Sequence, residues 1–245
     1  MISVRQLTKT LGAQTVLRGV ELEIEKGRTC VVLGRSGSGK SVLLKHLIGL
    51  FHPTSGEVWV EGAEISHLPE RQLGGIRKKV GMLFQSGALF DSMNVAENLA
   101  FPLREAGVKN EREIDERVTE ALEMVDLAGE QKKMPEKLSG GMRKRVGLAR
   151  TIIGRPACIL YDEPTTGLDP IASDSINHLI RRLQKRLQVT SVVVTHDMKT
   201  AFTTADRIAF LHEGRIYFDG TVDALRASQD AVITDFIEGR SGDVN

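Results

Sequence analysis

The sequence predicts an α/β fold: a mostly parallel sheet with helices on both faces and an all-helical insertion. Three observations predict it. Short apolar, β-branched runs alternate with stretches of helical period, as in parallel sheets with covered faces. One such run leads into a glycine-rich loop and then a helix. From about residue 94 to residue 155 helical periodicity dominates, so this segment reads as an insertion into the α/β core.

In chain order, Val20–Ile24 and Cys30–Leu33 read as strands, the second ending where the glycine loop begins. Ser41–Leu50 follows as a helix with Leu43, Leu44, Leu47 and Ile48 on one side. Glu57–Val60 is a short strand introduced by the turn Pro53-Thr54-Ser55-Gly56. In the insertion, Ile114, Val118, Ala121, Leu122 and Val125 form an amphipathic stripe, and Val146, Ala149, Ile152 and Ile153 repeat it. Pro156 stops that helix, and strand character returns at Cys158–Tyr161. Ile176, Leu179, Ile180, Leu183 and Leu187 share a helical face; Val192–Thr195 is a buried-looking strand. Ile208–Leu211 and Ile216–Phe218 flank Glu213-Gly214 as a hairpin. The tail after about Ser228 is short, with mobile final residues expected.

Bulk properties narrow the class. The 245 residues suit one large domain or two small ones. A hydrophobic share of 41%, a charged share of 27% and a net charge of +1 describe an ordinary globular protein, without a nucleic-acid binder's basic excess. No apolar run approaches the ~20 residues of a membrane span, and residues 1–5 open no apolar signal region. A cytoplasmic protein is expected, free to dock on a membrane protein. Cys30 and Cys158 read as small buried hydrophobes. The basic clusters Arg143-Lys144-Arg145 and Arg181-Arg182 read as solvated helix faces rather than sites for headgroups or nucleic acid.

Three segments carry chemistry. Gly34-Arg35-Ser36-Gly37-Ser38-Gly39-Lys40-Ser41 matches G-x-x-x-x-G-K-S in the strand–loop–helix setting that motif requires. Its glycines let the backbone wrap an anion, and the following helix adds a positive dipole. Lys40 would reach the β- and γ-phosphates, and the Ser41 hydroxyl would ligate Mg²⁺. Ile159-Leu160-Tyr161-Asp162-Glu163 is an apolar strand ending in two carboxylates, where α/β sheets bind ligands. Asp162 would hold Mg²⁺ through its water shell, and Glu163 would orient or deprotonate the attacking water. Leu138-Ser139-Gly140-Gly141-Met142, the third, places small residues at the start of a helix, another setting for an anion.

Over nearly its whole length the chain resembles an ABC-transporter ATPase subunit. Gly34–Ser41 matches Walker A, Ile159–Glu163 Walker B, and Leu138–Met142 the LSGGQ signature with Met142 in place of glutamine. Gln85 stands at the Q-loop, Gly167-Leu168-Asp169 looks like the D-loop, and His196 like the switch histidine. The resemblance implies a P-loop NTPase (RecA-like) core with an N-terminal antiparallel β subdomain and an inserted α-helical subdomain. Residues 1–86 and 156–227 would form the core with its β subdomain, 87–155 the helical subdomain, and 228–245 a short tail. It implies a head-to-tail dimer with two ATP molecules, each between one phosphate loop and the partner's Ser139, Gly140 and Gly141, with Asp169 also among the nucleotide-binding residues. His196 would contact the γ-phosphate and hold Glu163; Gln85 would sense Mg²⁺ or the water. Another strand lies between the Walker strands in this class, so Cys30 and Cys158 would sit about 10 Å apart, too far to bridge. Leu11 stands where the family usually carries an aromatic residue for adenine.

The stretch from Met82 to Glu105 looks much like the ATPase of bacterial Mla and Mce-type lipid transport systems. That likeness implies a permease in the inner membrane, an Mce-domain lipid-binding protein, a possible small regulatory subunit, and a peripheral position on the cytoplasmic face. Leu89, Phe90, Met93, Phe101 and Leu103 suit either an apolar docking groove or core. Alternatives are an ABC ATPase for amino acids, lipoproteins or drugs, a soluble ABC protein of translation or DNA repair, and a monomeric P-loop kinase.

Overall fold

The computed structural model describes residues 2–240. It begins with the antiparallel pair β1 (Ile2–Leu11) and β2 (Gln14–Ile24), then β3 (Thr29–Leu33) and α1 (Lys40–Leu47). Next come β4 (Ser55–Val60), β5 (Ala63–Glu64), α2 (Glu70–Arg77) and β6 (Val80–Leu83). Three helices follow, α3 (Val95–Glu105), α4 (Glu111–Met124) and α5 (Gly140–Ile152). The chain returns to alternation in β7 (Cys158–Asp162), α6 (Pro170–Leu187), β8 (Thr190–Thr195), α7 (Met198–Thr204), β9 (Arg207–His212) and β10 (Arg215–Gly220). Two short helices, α8 (Val222–Arg226) and α9 (Ala231–Ile237), close it.

The strands form two sheets. The smaller is antiparallel, in the order β2-β1-β4-β5; the larger runs β10-β9-β3-β8-β7-β6. In the larger, β9, β3, β8, β7 and β6 are parallel, and β10 pairs antiparallel with β9 as the hairpin expected around Glu213-Gly214. Period-two alternation divides its side chains between two cores. Val31, Leu33, Ile159, Tyr161 and Val193 face the core shared with α3 to α7. Cys30, Val32, Cys158, Leu160, Val192 and Val194 face the core shared with α1 and the smaller sheet. Leu43, Leu44 and Leu47 of α1 are buried there, as their spacing predicts.

β8 separates the strands carrying Cys30 and Cys158, and both thiols are free. Burial pushes each thiol's pKa up to about 12, so neither is a nucleophile. The expected mobile end of the tail, residues 241–245, lies outside the described residues. Ahead of it α9 is an ordered helix capped by Asp230, which the tail reading does not include.

Several elements differ from the sequence reading. β1, β6 and α2 are additional, and β2 starts at Gln14 rather than Val20. α1 stops at Leu47 instead of Leu50, with Gly49 at φ 67° ending it. The basic clusters are solvated faces only in part: Arg143 and Arg182 are exposed, Arg145 and Arg181 half-buried, and Lys144 buried. Arg145 donates to the Val125 carbonyl, to Asp126 at 2.7 Å and to Ser175 at 2.6 Å; Arg182 meets the same Asp126 carboxylate at 2.7 Å; Arg181 meets Asp206 at 2.9 Å. Burial raises the pKa of Asp126, but Arg182 and Arg145 outweigh it and hold that carboxyl below its usual range. Packing α5 and α6 against the end of α4 turns these charges into inter-helix ties, which charge counting along one helix does not reveal. The groove-or-core alternatives split: Leu103 is buried, Leu89 and Met93 are half-buried, and Phe90 and Phe101 are exposed with rings 5.0 Å apart.

Candidate active site

Parallel pairing assembles the site. Leu33 lies beside Thr195, and Asp162 beside Val194, so β3, β7 and β8 end together. The residues just beyond those ends are Gly34, Glu163 and His196. A cleft of about 550 Å³ opens there, lined by Gln14, Val16, Ser36, Gly37, Gly39, Lys40, Ser41, Val42, Gln85, Glu163, Thr166 and His196. A larger, shallower hollow of about 860 Å³ lies along β1 and β2 and shares only Gln14 with the cleft; the phosphate loop and the carboxylate Glu163 belong to the smaller one.

The loop from Gly34 to Ser41 is built by its glycines. Gly37 and Gly39 have φ of 78° and 103°, and a Cβ on Gly34 would lie 2.5 Å from the Leu211 carbonyl oxygen. Gly39 is the N-cap of α1 and supplies no side-chain acceptor, so the helix's first N–H groups are left for a ligand. Lys40 is buried; its ammonium donates to the Gly34 and Arg35 carbonyls at 2.9 and 3.0 Å and lies 3.4 Å from Glu163 Oε1. Within the loop, the Ser38 hydroxyl is buried and has no hydrogen-bond partner among the described residues. Arg35 points away and donates to the Arg240 carbonyl at 3.3 Å.

Both predicted carboxylates are in reach. Ser41 Oγ donates to Asp162 Oδ1 at 2.9 Å. A hydroxyl and a carboxylate oxygen beside a phosphate loop form the hard, oxygen-only donor set that Mg²⁺ takes, with phosphates and waters completing its shell. Glu163 has φ 47°, a left-handed conformation that costs a non-glycine residue on the order of 1 kcal/mol and concentrates at functional sites. Its Oε2 meets His196 Nδ1 at 3.0 Å and accepts from Thr195 Oγ1 at 3.3 Å. Gln85 is exposed on the cleft's rim.

Ser139, Gly140, Gly141 and Asp169 do not line this cleft. Ser139 is the N-cap of α5, its oxygen accepting from Met142 N at 3.2 Å. That leaves its own O–H and the Gly140 and Gly141 N–H groups without a cap partner. Asp169 caps α6, Oδ1 accepting from Ile171 and Ala172 at 3.0 and 2.9 Å. The two helix starts are neighbours: a Cβ on Gly140 would lie 3.3 Å from Leu168, and one on Gly141 3.7 Å from Ala172. Beside them Ile171 is 84% exposed, unusual for an apolar side chain. Met142 is half-buried against the helical core.

Other residues of the site carry no sequence signal of their own. Val16 closes on Gly39 and, with Gln14, forms the wall; Leu11 is exposed at the β1–β2 turn and outside the lining. Thr195 stands against Glu163 through the pairing of β8 with β7, and Thr166 reaches the same carboxylate from three residues along the loop. Asn98 is fully buried; it accepts from Phe90 N at 2.8 Å and donates to the Phe90, Met93 and Asn94 carbonyls, fixing the loop after Gln85. Its place four residues after the cap Asn94 is the one hint available from sequence.

Comparison with known proteins agrees with this geometry. Residues 17–166 match the family model described as ABC transporter. The chain is 42% identical over 239 residues to the probable ribonucleotide transport ATP-binding protein Mkl of Mycobacterium leprae, covering 98% of this chain and 69% of that one. It is 40% identical to the intermembrane phospholipid transport ATP-binding protein MlaF of Haemophilus influenzae, covering 98% and 91%. It is 41% identical to the methionine import ATP-binding protein MetN of Carboxydothermus hydrogenoformans, covering 91% and 66%. Among solved structures, a dimeric ATP-binding cassette in a post-hydrolysis state with ADP and Pi superposes with a TM-score of 0.82 at 33% identity, covering 91% of this chain and 99% of that one.

Proposed function

The chain belongs to the ABC transporter family as an ATP-hydrolysing, ATP-binding subunit, and on that premise we propose that two copies close head to tail on two ATP molecules and drive phospholipid movement through a membrane permease. The observation that carries the cargo is the similarity to MlaF across 98% of this chain and 91% of that protein. It joins the stretch from Met82 to Glu105, where Phe90 and Phe101 present paired exposed rings suited to an apolar partner.

In this reading Lys40 leaves its loop carbonyls and Glu163 for the β- and γ-phosphates. Ser41 and Asp162 would hold Mg²⁺, which would neutralise phosphate charge when bound, and Gln85 would sense it. Glu163 orients the attacking water and accepts its proton, while His196 and Thr195 hold the carboxylate. The partner's Ser139 hydroxyl and Gly140 and Gly141 N–H groups complete the γ-phosphate shell. Catalysis is then positioning and charge stabilisation. No helix among the described residues is long and apolar enough to cross a membrane; in this reading the permease holds the subunit peripherally on the cytoplasmic face of the inner membrane.

A second reading keeps the ATPase and changes the cargo, on the strength of the 41% identity with MetN. Purification with the permease encoded beside it separates the two. An Mce-domain protein in the complex and phospholipid in its organic extract are expected. A methionine-binding protein in their place overturns the lipid reading and leaves the ATPase untouched.

A further inference from the structure

Lys144 is a charge buried where an amphipathic helix would ordinarily expose one. It stands five residues after Ser139 on α5 and is 5% exposed. Its ammonium donates to the main-chain carbonyl of Gln85 and lies 3.4 Å from that of Glu163. Burial pushes its pKa down, against the pull of the Asp162 and Glu163 carboxylates. Lysine suits this place: three donors on one compact charge can serve two carbonyls at once, and charge-assisted bonds are the strong ones.

Neighbouring contacts show that α5 and the segment after β6 are one mechanical unit. A Cβ on Gly147 would lie 3.0 Å from the Gly87 carbonyl oxygen, so helix and loop touch backbone to backbone. Arg150 donates to the Gly87 and Ala88 carbonyls at 3.3 and 2.7 Å. Lys144 reaches from this unit across to the end of β7, where Glu163 is held at φ 47°. It does not line the cleft.

We propose that Lys144 is a positioning residue for ATP hydrolysis: its buried ammonium ties the Gln85 and Glu163 carbonyls to α5, so the helix whose start serves a partner's nucleotide also holds the hydrolytic glutamate of its own site. The inference rests on the roles given above to Gln85, Glu163 and Ser139. It makes the two faces of one subunit respond together: a shift of α5 on dimer closure moves the Glu163 backbone directly.

The test is steady-state ATP turnover by the full chain, bound to its membrane partner, for wild type, Lys144→Met, Lys144→Arg and Glu163→Gln. Thermal unfolding is followed alongside. Lys144→Met is expected to lower kcat by about 10- to 100-fold, the scale of a small misplacement of a catalytic group, with KM for ATP within about threefold. Lys144→Arg, which keeps the charge and the donors, is expected to restore at least about a third of wild-type kcat. A Lys144→Met enzyme within twofold of wild type overturns the proposal, as does a loss expressed equally in KM. Should Lys144→Met not fold, a folded Lys144→Arg below about a tenth of wild-type kcat also overturns it. An inactive Glu163→Gln beside a normal Lys144→Met removes only the Lys144 role. A fully active Glu163→Gln removes the site assignment, and this inference with it.

Discussion

The two glycine-rich segments do opposite things with the same residue. In Gly34–Ser41 the glycines are demanded by the chain itself: Gly37 and Gly39 hold left-handed backbone, and Gly34 faces a carbonyl that leaves no room for a Cβ. In Ser139-Gly140-Gly141 neither glycine has a positive φ, and the nearest atoms to an added Cβ are side-chain carbons at 3.3 and 3.7 Å. Gly140 and Gly141 lie inside the first turn of α5, where alanine would be the better helix former by about 1 kcal/mol. The fold therefore explains the first set and not the second. The helix starts differ in the same sense. α1 has a glycine cap without an acceptor and opens into a cleft furnished with Lys40, Ser41 and Glu163, whereas α5 is capped by Ser139 and opens outward beside exposed Ile171. The first segment belongs to a finished half, whose groups all come from its own chain; the second, in the proposed dimer, is an unfinished half that would meet the partner's nucleotide.

The contrast can be broken at its strong end first. Lys40→Ala removes the buried cation of the finished half and should weaken ATP binding by about 100-fold or more, the 3–5 kcal/mol typical of breaking a buried charged pair. Equilibrium titration with a fluorescent nucleotide reads it directly, and near-normal affinity would remove Lys40 from the site. Ser139→Arg attacks the unfinished half. ATP affinity of the separate subunit should stay within about threefold, because Ser139 is outside the cleft, while turnover should fall by about 100-fold. Turnover close to wild type would mean that the segment serves no shared site. The smallest effect is the sharpest on the glycines. Gly39→Ala must hold φ near 103° with its Cβ 2.9 Å from Leu17, and should lose about 1–3 kcal/mol in urea unfolding. Gly141→Ala should lose nothing, or gain up to about 1 kcal/mol, yet turn over more slowly. Equal destabilisation of both would erase the distinction.

The phosphate loop was legible because its spacing is local: eight consecutive residues between a strand and a helix carry the whole pattern. Asp162 and Glu163 were legible because an apolar strand ending in carboxylates is equally local. β1 was missed although Ile2, Val4 and Leu7 are buried, because a register shift after Val4 breaks the alternation that reveals a strand. β6 is four residues long with Gly81 inside, too short to show a period. Thr195, Val16 and Lys144 have no spacing signature, since each meets the site's groups from a distant part of the chain. Along the sequence Lys144 resembles the charges on either side of it, and only the packing of α5 under Gly87 shows it buried.

By itself the sequence determined the chemistry of the site, because phosphate binding needs particular residues at fixed short spacing, and backbone geometry enforces that spacing wherever the loop occurs. It determined the alternation of strands and helices for the same reason. Tertiary structure alone decided which groups meet: that β8 stands between the two cysteines, that His196 and Thr195 grip Glu163, that Asp126 gathers two arginines, and that Lys144 spans from α5 to the ends of β6 and β7. Such meetings depend on the order in which strands pair and on how closely helices approach the sheet. Those are properties of the packed whole, and short-range patterns do not encode them.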